Sequence, residues 1–150
     1  MMLYLDNAAT TLKKPLSVYA TLFKSTLFSG GNAGRGGHKM SMDAVRAIVD
    51  TQDLIAQLFN IKKAENIVFT QNATYALNTA ILGTMSNGGH IVVTEMDHNS
   101  VLRPACLPDN YTVVKADKSG YVHAEDIEKA VRKDTKLIVC THASNVCGTI

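Results

Sequence analysis

Cysteine is scarce in this sequence, and neither sign of charge dominates it. The 150 residues contain three cysteines, an odd and sparse set that argues against a disulfide framework. Free thiols suit a reducing compartment, so we expect the protein in the cytoplasm. The 15 lysines and arginines against 13 acidic residues leave a formal net charge of only +2. This balance favours neither nucleic acid nor an acidic membrane as the main partner.

Long apolar runs and the common nucleotide-binding motifs are also missing. No stretch approaches the roughly 20 apolar residues of a membrane span, and the N-terminus lacks the pattern of a cleaved signal peptide. There is no G-x-x-x-x-G-K-[ST] loop, and the glycine-rich segment 29–37 does not follow G-x-G-x-x-G. Cys140 and His142 have no second pair at zinc spacing, so no metal site is predicted.

What the sequence does contain is apolar residues in alternating helix and strand patterns. Hydrophobic residues make up 46% of the chain and charged residues 19%, a balance typical of a globular protein with a core. Continuous apolar strands between helices indicate an α/β fold with a mostly parallel sheet flanked by helices. Helices are predicted over 15–27, 40–59, 74–85, about 99–107 with a break at Pro104, and 124–132, and strands over 66–70, 90–94, 111–114 and 136–140.

Candidate functional residues follow the predicted strands, because ligands of such sheets bind at the carboxyl ends of the strands. Gln71–Thr74 opens a helix whose free N–H groups suit an anion, although Thr74 also fits a plain helix cap. His98 follows the second strand, where it can stack on a ring, move a proton or be an ordinary loop histidine. Asn145 follows the fourth strand as a crevice donor and acceptor, or as a turn former. Cys147 is interpreted as a free thiol.

Five segments, in order along the chain, resemble the cysteine desulfurase and selenocysteine lyase group of the class V aminotransferases. The resemblance runs from Leu3 to Ile150, and Ala33 stands where the group often has proline. The segments are Leu5–Thr11, Asn32–His38 (N-x-x-R-G-x-H), Phe69–Thr74, Glu95–Ser100 (E-x-x-H-N-S) and His142–Gly148 (H-x-S-N-V-x-G).

The resemblance implies a pyridoxal 5′-phosphate (PLP) enzyme with fold type I, the fold of aspartate aminotransferase. Residues 1–14 would be the N-terminal segment of the small domain or an active-site arm, and 15–150 the first part of the large PLP-binding domain. Such enzymes remove sulfur or selenium from cysteine or selenocysteine, which leaves alanine and an enzyme persulfide. The persulfide serves iron–sulfur cluster assembly or other thio-transfer through a sulfur-acceptor protein. The resemblance also implies a homodimer.

The resemblance carries roles to particular residues. Ala73 and Thr74 would hold the PLP phosphate. His98 would stack on the pyridine ring and assist proton transfer as a catalytic residue, and Asn145 would hydrogen-bond the 3-oxygen of the ring. The substrate side of the pocket or the dimer seam would be lined by Asn7, Ala8, Asn32 and His38.

Three parts of the group's machinery are missing from this sequence. The Schiff-base lysine stands in an S-x-H-K-type segment, and His38-Lys39 belongs to the R-G-x-H loop instead. The persulfide cysteine and the aspartate that pairs with the pyridine nitrogen are also absent. We therefore expect an incomplete N-terminal part, truncated at Ile150, that cannot carry out the reaction alone. An unpaired sheet edge and apolar faces predict weak stability or self-association.

Two alternatives stay open at this point. The chain also fits another class V aminotransferase or an epimerase that acts on a different amino acid. If the native chain ends at residue 150, it fits a non-catalytic domain that binds a phosphate ligand or another protein.

Overall fold

The computed structural model describes residues 3–150, so the first two residues of the predicted 1–14 segment lie outside it. The described chain forms two units, one that ends at Phe69 and one that begins at Thr70. Within residues 3–150, no helix has the length and apolar character needed to cross a membrane. The elements are α1 (Leu16–Phe28), α2 (Lys39–Leu58), a 3₁₀ turn (Ala64–Asn66), α3 (Ala73–Met85), β1 (His90–Thr94), α4 (Asn99–Cys106), β2 (Tyr111–Val114), α5 (Ala124–Ala130) and β3 (Thr135–Ile138).

The first unit contains α1 and α2, and both helices confirm the predictions to within a residue or so. α1 begins directly after Pro15, whose fixed φ suits a helix start. None of its residues is buried, and its apolar side chains, such as Leu22 and Phe23, are exposed. α2 buries Ser41 and Ala56.

The strand predicted over 66–70 is wrong. The chain makes the 3₁₀ turn and then continues without regular structure, and the Val68 side chain is 80% exposed. A strand needs a neighbour to satisfy its backbone groups, and the three strands of the described residues pair only with one another. The Gln52 side chain donates from Nε2 to the carbonyl oxygen of Ile67 over 2.7 Å.

The second unit contains a three-stranded parallel sheet in the order β2-β1-β3. β1 is buried along its whole length because it is the central strand. One face of the sheet packs against α3 and α4, and α5 contacts β2. The core on the α3 and α4 side consists of Ile81, Met85, Ile91, Val93, Val101 and Ala105.

The amino ends of the three strands meet at His90. The ring is fully buried, with Nδ1 2.7 Å from Thr135 Oγ1 and Nε2 2.9 Å from Thr112 Oγ1. Burial, and secondarily the positive charge of Arg132, lowers the pKa of the imidazole. The neutral ring therefore joins β1 to both of its neighbours.

Two helices differ from the predictions at particular residues. α4 runs through Pro104, where a break was predicted, and α5 ends at Ala130 instead of Arg132. After α5, the backbone N–H of Arg132 donates to Thr135 Oγ1 over 2.7 Å, which turns the chain into β3. α4 continues through Pro104 with the help of a hydrogen bond donated from α3.

Candidate active site

The N-terminus of α3 presents unpaired backbone donors. The Asn72 side chain caps the helix by accepting from the N–H of Tyr75 over 2.8 Å, and the Asn72 carbonyl accepts from Ala76. The N–H groups of Ala73 and Thr74 have no acceptor among the described residues, as expected for the first turn of a helix. The helix dipole adds partial positive charge at this point, so the turn suits an anion.

Asn78 lies one helical turn after Thr74 and connects α3 to α4. Its Nδ2 donates to the carbonyl oxygen of Thr74 over 2.8 Å and to that of Ser100 over 3.4 Å. In an unbroken helix the Ser100 carbonyl would accept from residue 104, but Pro104 has no N–H. Asn78 therefore supplies a donor where the proline removes one, which explains why α4 continues through Pro104.

His98 caps the N-terminus of α4 with its ring. Nδ1 accepts from the backbone N–H of Ser100 over 3.1 Å and lies 2.9 Å from Ser100 Oγ. Because an acceptor nitrogen carries no proton, the neutral ring in this arrangement carries its proton on Nε2. The ring is exposed, so Nε2–H is a donor available to a ligand.

Thr74 and His98 lie on the same open cavity, of about 460 Å³. Arg103 supplies the one charged side chain of its lining, and no carboxylate takes part in it among the described residues. Hydroxyl, amide and ring donors together with one cation favour an anionic ligand. The lining consists of Thr74, Asn78, His98, Asn99, Ser100, Arg103 and Pro104.

Asn145 lies apart from this lining, on the turn that follows β3. Its side chain is exposed, while the neighbouring Ser144 is buried. Ser144 Oγ accepts from the backbone N–H groups of Val146 and Cys147 over 3.2 and 3.1 Å, which shapes the turn. The structure thus brings together Thr74 and His98 but does not place Asn145 on their cavity.

The candidate substrate-side residues all lie in the first unit. Asn7 forms a local turn, donating to the Tyr4 carbonyl over 3.3 Å and accepting from the N–H of Leu12 over 3.2 Å. Ala8 is exposed on that turn. Asn32 and His38 are joined through the buried Ser41, which donates its hydroxyl to the Asn32 carbonyl over 2.7 Å and its N–H to His38 Nδ1 over 3.4 Å. Their roles in binding stay predictions.

Sequence reasoning gave no role to three residues that shape the cavity. Asn78, Ser100 and Arg103 line it together with Thr74 and His98. Helical spacing carried part of this signal, because residues four apart, such as 74 and 78 or 99 and 103, share a helix face. The contact between α3 and α4 is a tertiary contact that no sequence pattern predicts.

A comparison with known families matches the described chain, residues 3–150, to the class-V aminotransferases. The chain belongs to the class-V aminotransferase family. This membership confirms the resemblance carried by the five sequence segments.

Among the relatives with curated names are cysteine desulfurases of the class-V aminotransferases. The chain is 34% identical to a probable cysteine desulfurase of Aeropyrum pernix, with 98% of this chain aligned to 38% of the relative. It is 35% identical to the cysteine desulfurase IscS of Dictyoglomus turgidum, with 98% of this chain aligned to 39% of the relative. The chain thus spans about two fifths of the length of these curated relatives.

Solved structures share the fold of this class-V aminotransferase chain. A NifS-like protein covers 97% of this chain with a TM-score of 0.84 at 25% identity. SspA in complex with cysteine covers 95% with a TM-score of 0.83 at 26% identity. This chain corresponds to 41% and 42% of those two chains. The predicted α/β fold with a parallel sheet flanked by helices is confirmed.

Proposed function

We propose that these residues form the phosphate-binding part of a PLP-dependent cysteine desulfurase. The observation that carries the proposal is the first turn of α3, where Ala73 and Thr74 have free N–H groups and Thr74 lines the same cavity as His98. Family membership and the names of the relatives support it. When bound, PLP supplies an electron sink for carbanion chemistry at the substrate.

The donors at this turn fit a phosphate monoester. Two backbone N–H groups and the Thr74 hydroxyl would hold phosphate oxygens at the positive end of the helix dipole. Arg103 adds positive charge on the same cavity, and no carboxylate of the described chain opposes it there. The chemistry of the donor set therefore agrees with the cofactor that the family implies.

We assign the remaining roles on the same basis. His98 would stack on the cofactor ring and offer the proton on Nε2, while Ser100 holds the other ring nitrogen and orients the imidazole. Asn145 would hydrogen-bond the 3-oxygen of the ring. Asn7, Ala8, Asn32 and His38 would serve the substrate side or the dimer seam of the whole protein.

The proposed reaction takes sulfur from L-cysteine, or selenium from selenocysteine, and leaves alanine and an enzyme persulfide. The Schiff-base lysine and the persulfide cysteine come from outside these 150 residues, which contain no S-x-H-K segment. The proposal further includes a cytoplasmic homodimer as the whole protein. A sulfur-acceptor protein would take the sulfur for iron–sulfur cluster assembly. Cys106, Cys140 and Cys147 are free and exposed, which suits a reducing compartment.

Binding of the phosphate half is tested with pyridoxine 5′-phosphate, because it lacks the aldehyde that reacts with surface lysines. The 150-residue chain should bind it, and should bind pyridoxine, which has no phosphate, far more weakly. Thr74→Val should weaken binding about five- to tenfold by removing one hydrogen bond to an anion. Titration calorimetry measures all three affinities.

Thr79→Val is the matched control on the same helix. Thr79 is exposed, and its hydroxyl donates to the Tyr75 carbonyl over 2.9 Å, away from the free N–H groups. This variant should bind pyridoxine 5′-phosphate as the parent chain does. Equal losses in the two variants, or equal affinities for the two pyridoxines, would contradict the phosphate site.

The activity is tested on the native protein purified from its own cells. It should release alanine from L-cysteine in a PLP-dependent reaction, with selenocysteine as the competing substrate. Turnover of a different amino acid with no alanine from cysteine would favour the aminotransferase or epimerase alternative.

A further inference from the structure

Asp97 is a buried carboxylate at the carboxyl ends of two neighbouring strands. Its side chain is 6% exposed, and both oxygens accept hydrogen bonds. Oδ2 accepts from the backbone N–H of Thr94 over 2.7 Å and from its hydroxyl over 2.9 Å. Oδ1 accepts from the hydroxyl of Thr141 over 2.8 Å.

A carboxylate in the interior is costly unless its oxygens are satisfied. No basic side chain of the described residues pairs with Asp97, so these three neutral donors stabilise it. The Thr94 bonds close a local turn and would do so without any third partner. The Thr141 bond is different, because it reaches 44 positions along the chain.

The two threonines lie at the start of two separate loops, which follow the neighbouring strands β1 and β3. Thr94 is the last residue of β1, and Thr141 lies just beyond β3, which pairs with β1. The loop after β1 continues from Asp97 directly into His98. The loop after β3 reaches Asn145 four residues beyond Thr141. One carboxylate therefore fixes the distance between the segments that carry these two candidate ring-binding residues.

We propose that Asp97 is a positioning residue that holds the His98 loop and the Asn145 loop in one fixed relation, so that both engage the cofactor ring. This inference rests on the proposed function, since it concerns the ring half of the same site. The phosphate half, at the first turn of α3, does not depend on the Asp97–Thr141 bond. Loss of the bond should therefore affect a ring-bearing ligand and spare a bare anion.

The test compares pyridoxine 5′-phosphate with inorganic phosphate on the 150-residue chain. Thr141→Val removes only the hydroxyl that bridges the loops. It should weaken pyridoxine 5′-phosphate about five- to tenfold and leave the affinity for inorganic phosphate unchanged. Equal losses for both ligands, or no loss for either, would overturn the proposal.

Thr149→Val is the matched control within the same C-terminal loop. The Thr149 hydroxyl donates to the Gly120 carbonyl over 3.1 Å and has no bond to Asp97. This variant should bind both ligands as the parent chain does. If it shows the same selective loss as Thr141→Val, general loosening of the loop explains the effect and Asp97 is not responsible.

Two substitutions of Asp97 distinguish its role in positioning the two loops from its contribution to folding. They are Asp97→Asn and Asp97→Ala. The asparagine amide can accept from Thr94 and donate to Thr141, so Asp97→Asn should keep most of the affinity for pyridoxine 5′-phosphate. Asp97→Ala loses all three bonds and should bind it no better than Thr141→Val. If both variants bind pyridoxine 5′-phosphate as tightly as the parent chain, the proposal fails. Because Asp97→Ala also removes support for the turn, Thr141→Val decides the question if Asp97→Ala does not fold.

A ligand-free measurement distinguishes failure of this inference from failure of the proposed function. In the NMR spectrum of the apo chain, Thr141→Val should shift the Asn145 side-chain amide and the His98 ring signals, and Thr149→Val should leave the His98 ring in place. If the parent chain binds no pyridoxine 5′-phosphate but these shifts occur, the cofactor assignment fails and the positioning by Asp97 stands. If neither signal moves, the positioning is wrong.

Discussion

Asn78 Nδ2 donates a hydrogen bond to the carbonyl oxygen of Ser100, the acceptor that Pro104 leaves without its helical partner. The same amide donates to the Thr74 carbonyl. A single side chain thus connects the helix that presents Thr74 to the helix that His98 caps. Thr74 and His98 lie on one cavity, and this bond joins their two helices beside it.

The Asn78–Ser100 bond predicts coupling between two substitutions. Asn78→Ala should lower the free energy of unfolding by about 1 kcal/mol in the parent chain. Pro104→Ala restores an N–H that can donate to Ser100, so Asn78→Ala should cost about 0.5 kcal/mol less in that background. Urea unfolding of the four proteins measures the difference. Strictly additive effects would show that the proline and the amide are independent.

The cap made by His98 predicts different effects of two substitutions. Asparagine is a good N-cap residue, so His98→Asn should change the free energy of unfolding by less than about 0.5 kcal/mol, whereas His98→Ala should lower it by about 1 kcal/mol. Thermal unfolding measures both. In the parent chain, ¹⁵N NMR of the ring should show the proton on Nε2 at neutral pH. A proton on Nδ1 would contradict the bond from the Ser100 N–H.

His90 predicts a stability that depends on pH. Burial lowers its pKa in the folded chain, whereas in the unfolded chain the pKa returns to about 6.5. Below that pH the unfolded chain binds more protons, so the free energy of unfolding falls as the pH drops. The decline should level off beneath the lowered pKa of the folded state. Urea unfolding between pH 8 and pH 5, compared with His90→Gln, isolates the effect, and equal pH slopes would count against it.

Two glycines of the second unit predict opposite responses to alanine. Gly89 has φ +120°, and a Cβ there would lie 2.6 Å from Lys136 Cδ, so Gly89→Ala should cost about 1–3 kcal/mol of stability. Gly83 lies within α3 with nothing within 4 Å of the added Cβ, so Gly83→Ala should add about 0.5–1 kcal/mol. Changes of the same sign in the unfolding midpoints would contradict this reading of the backbone.

The exposed apolar side chains of α1 predict self-association of the 150-residue chain. Leu22 and Phe23 are among these side chains, and no residue of α1 is buried. The pair Leu22→Lys and Phe23→Glu should reduce concentration-dependent sedimentation, whereas Ser17→Lys on the same helix should change it less. A monomer that melts sharply at all concentrations would refute the prediction.

Local pattern was enough to predict most of the elements and the family. The apolar periodicities of α1 to α3 and the short apolar runs of β1 and β2 are properties of neighbouring residues, and the structure confirms them within a residue or so. The five ordered segments identified the family because each is a short contiguous motif. Residues 66–70 show the limit of local pattern, since an apolar run becomes a strand only when another strand lies beside it.

Contacts between distant residues decided the rest. The continuation of α4 through Pro104 depends on a donor 22 positions away in the chain, and the Asp97–Thr141 bond spans 44 positions. No periodicity predicts such pairs, because a buried carbonyl or carboxylate takes whichever donor the packing of helices and strands brings within reach. The sequence therefore supplied candidate residues, and tertiary packing decided which of them meet at one cavity.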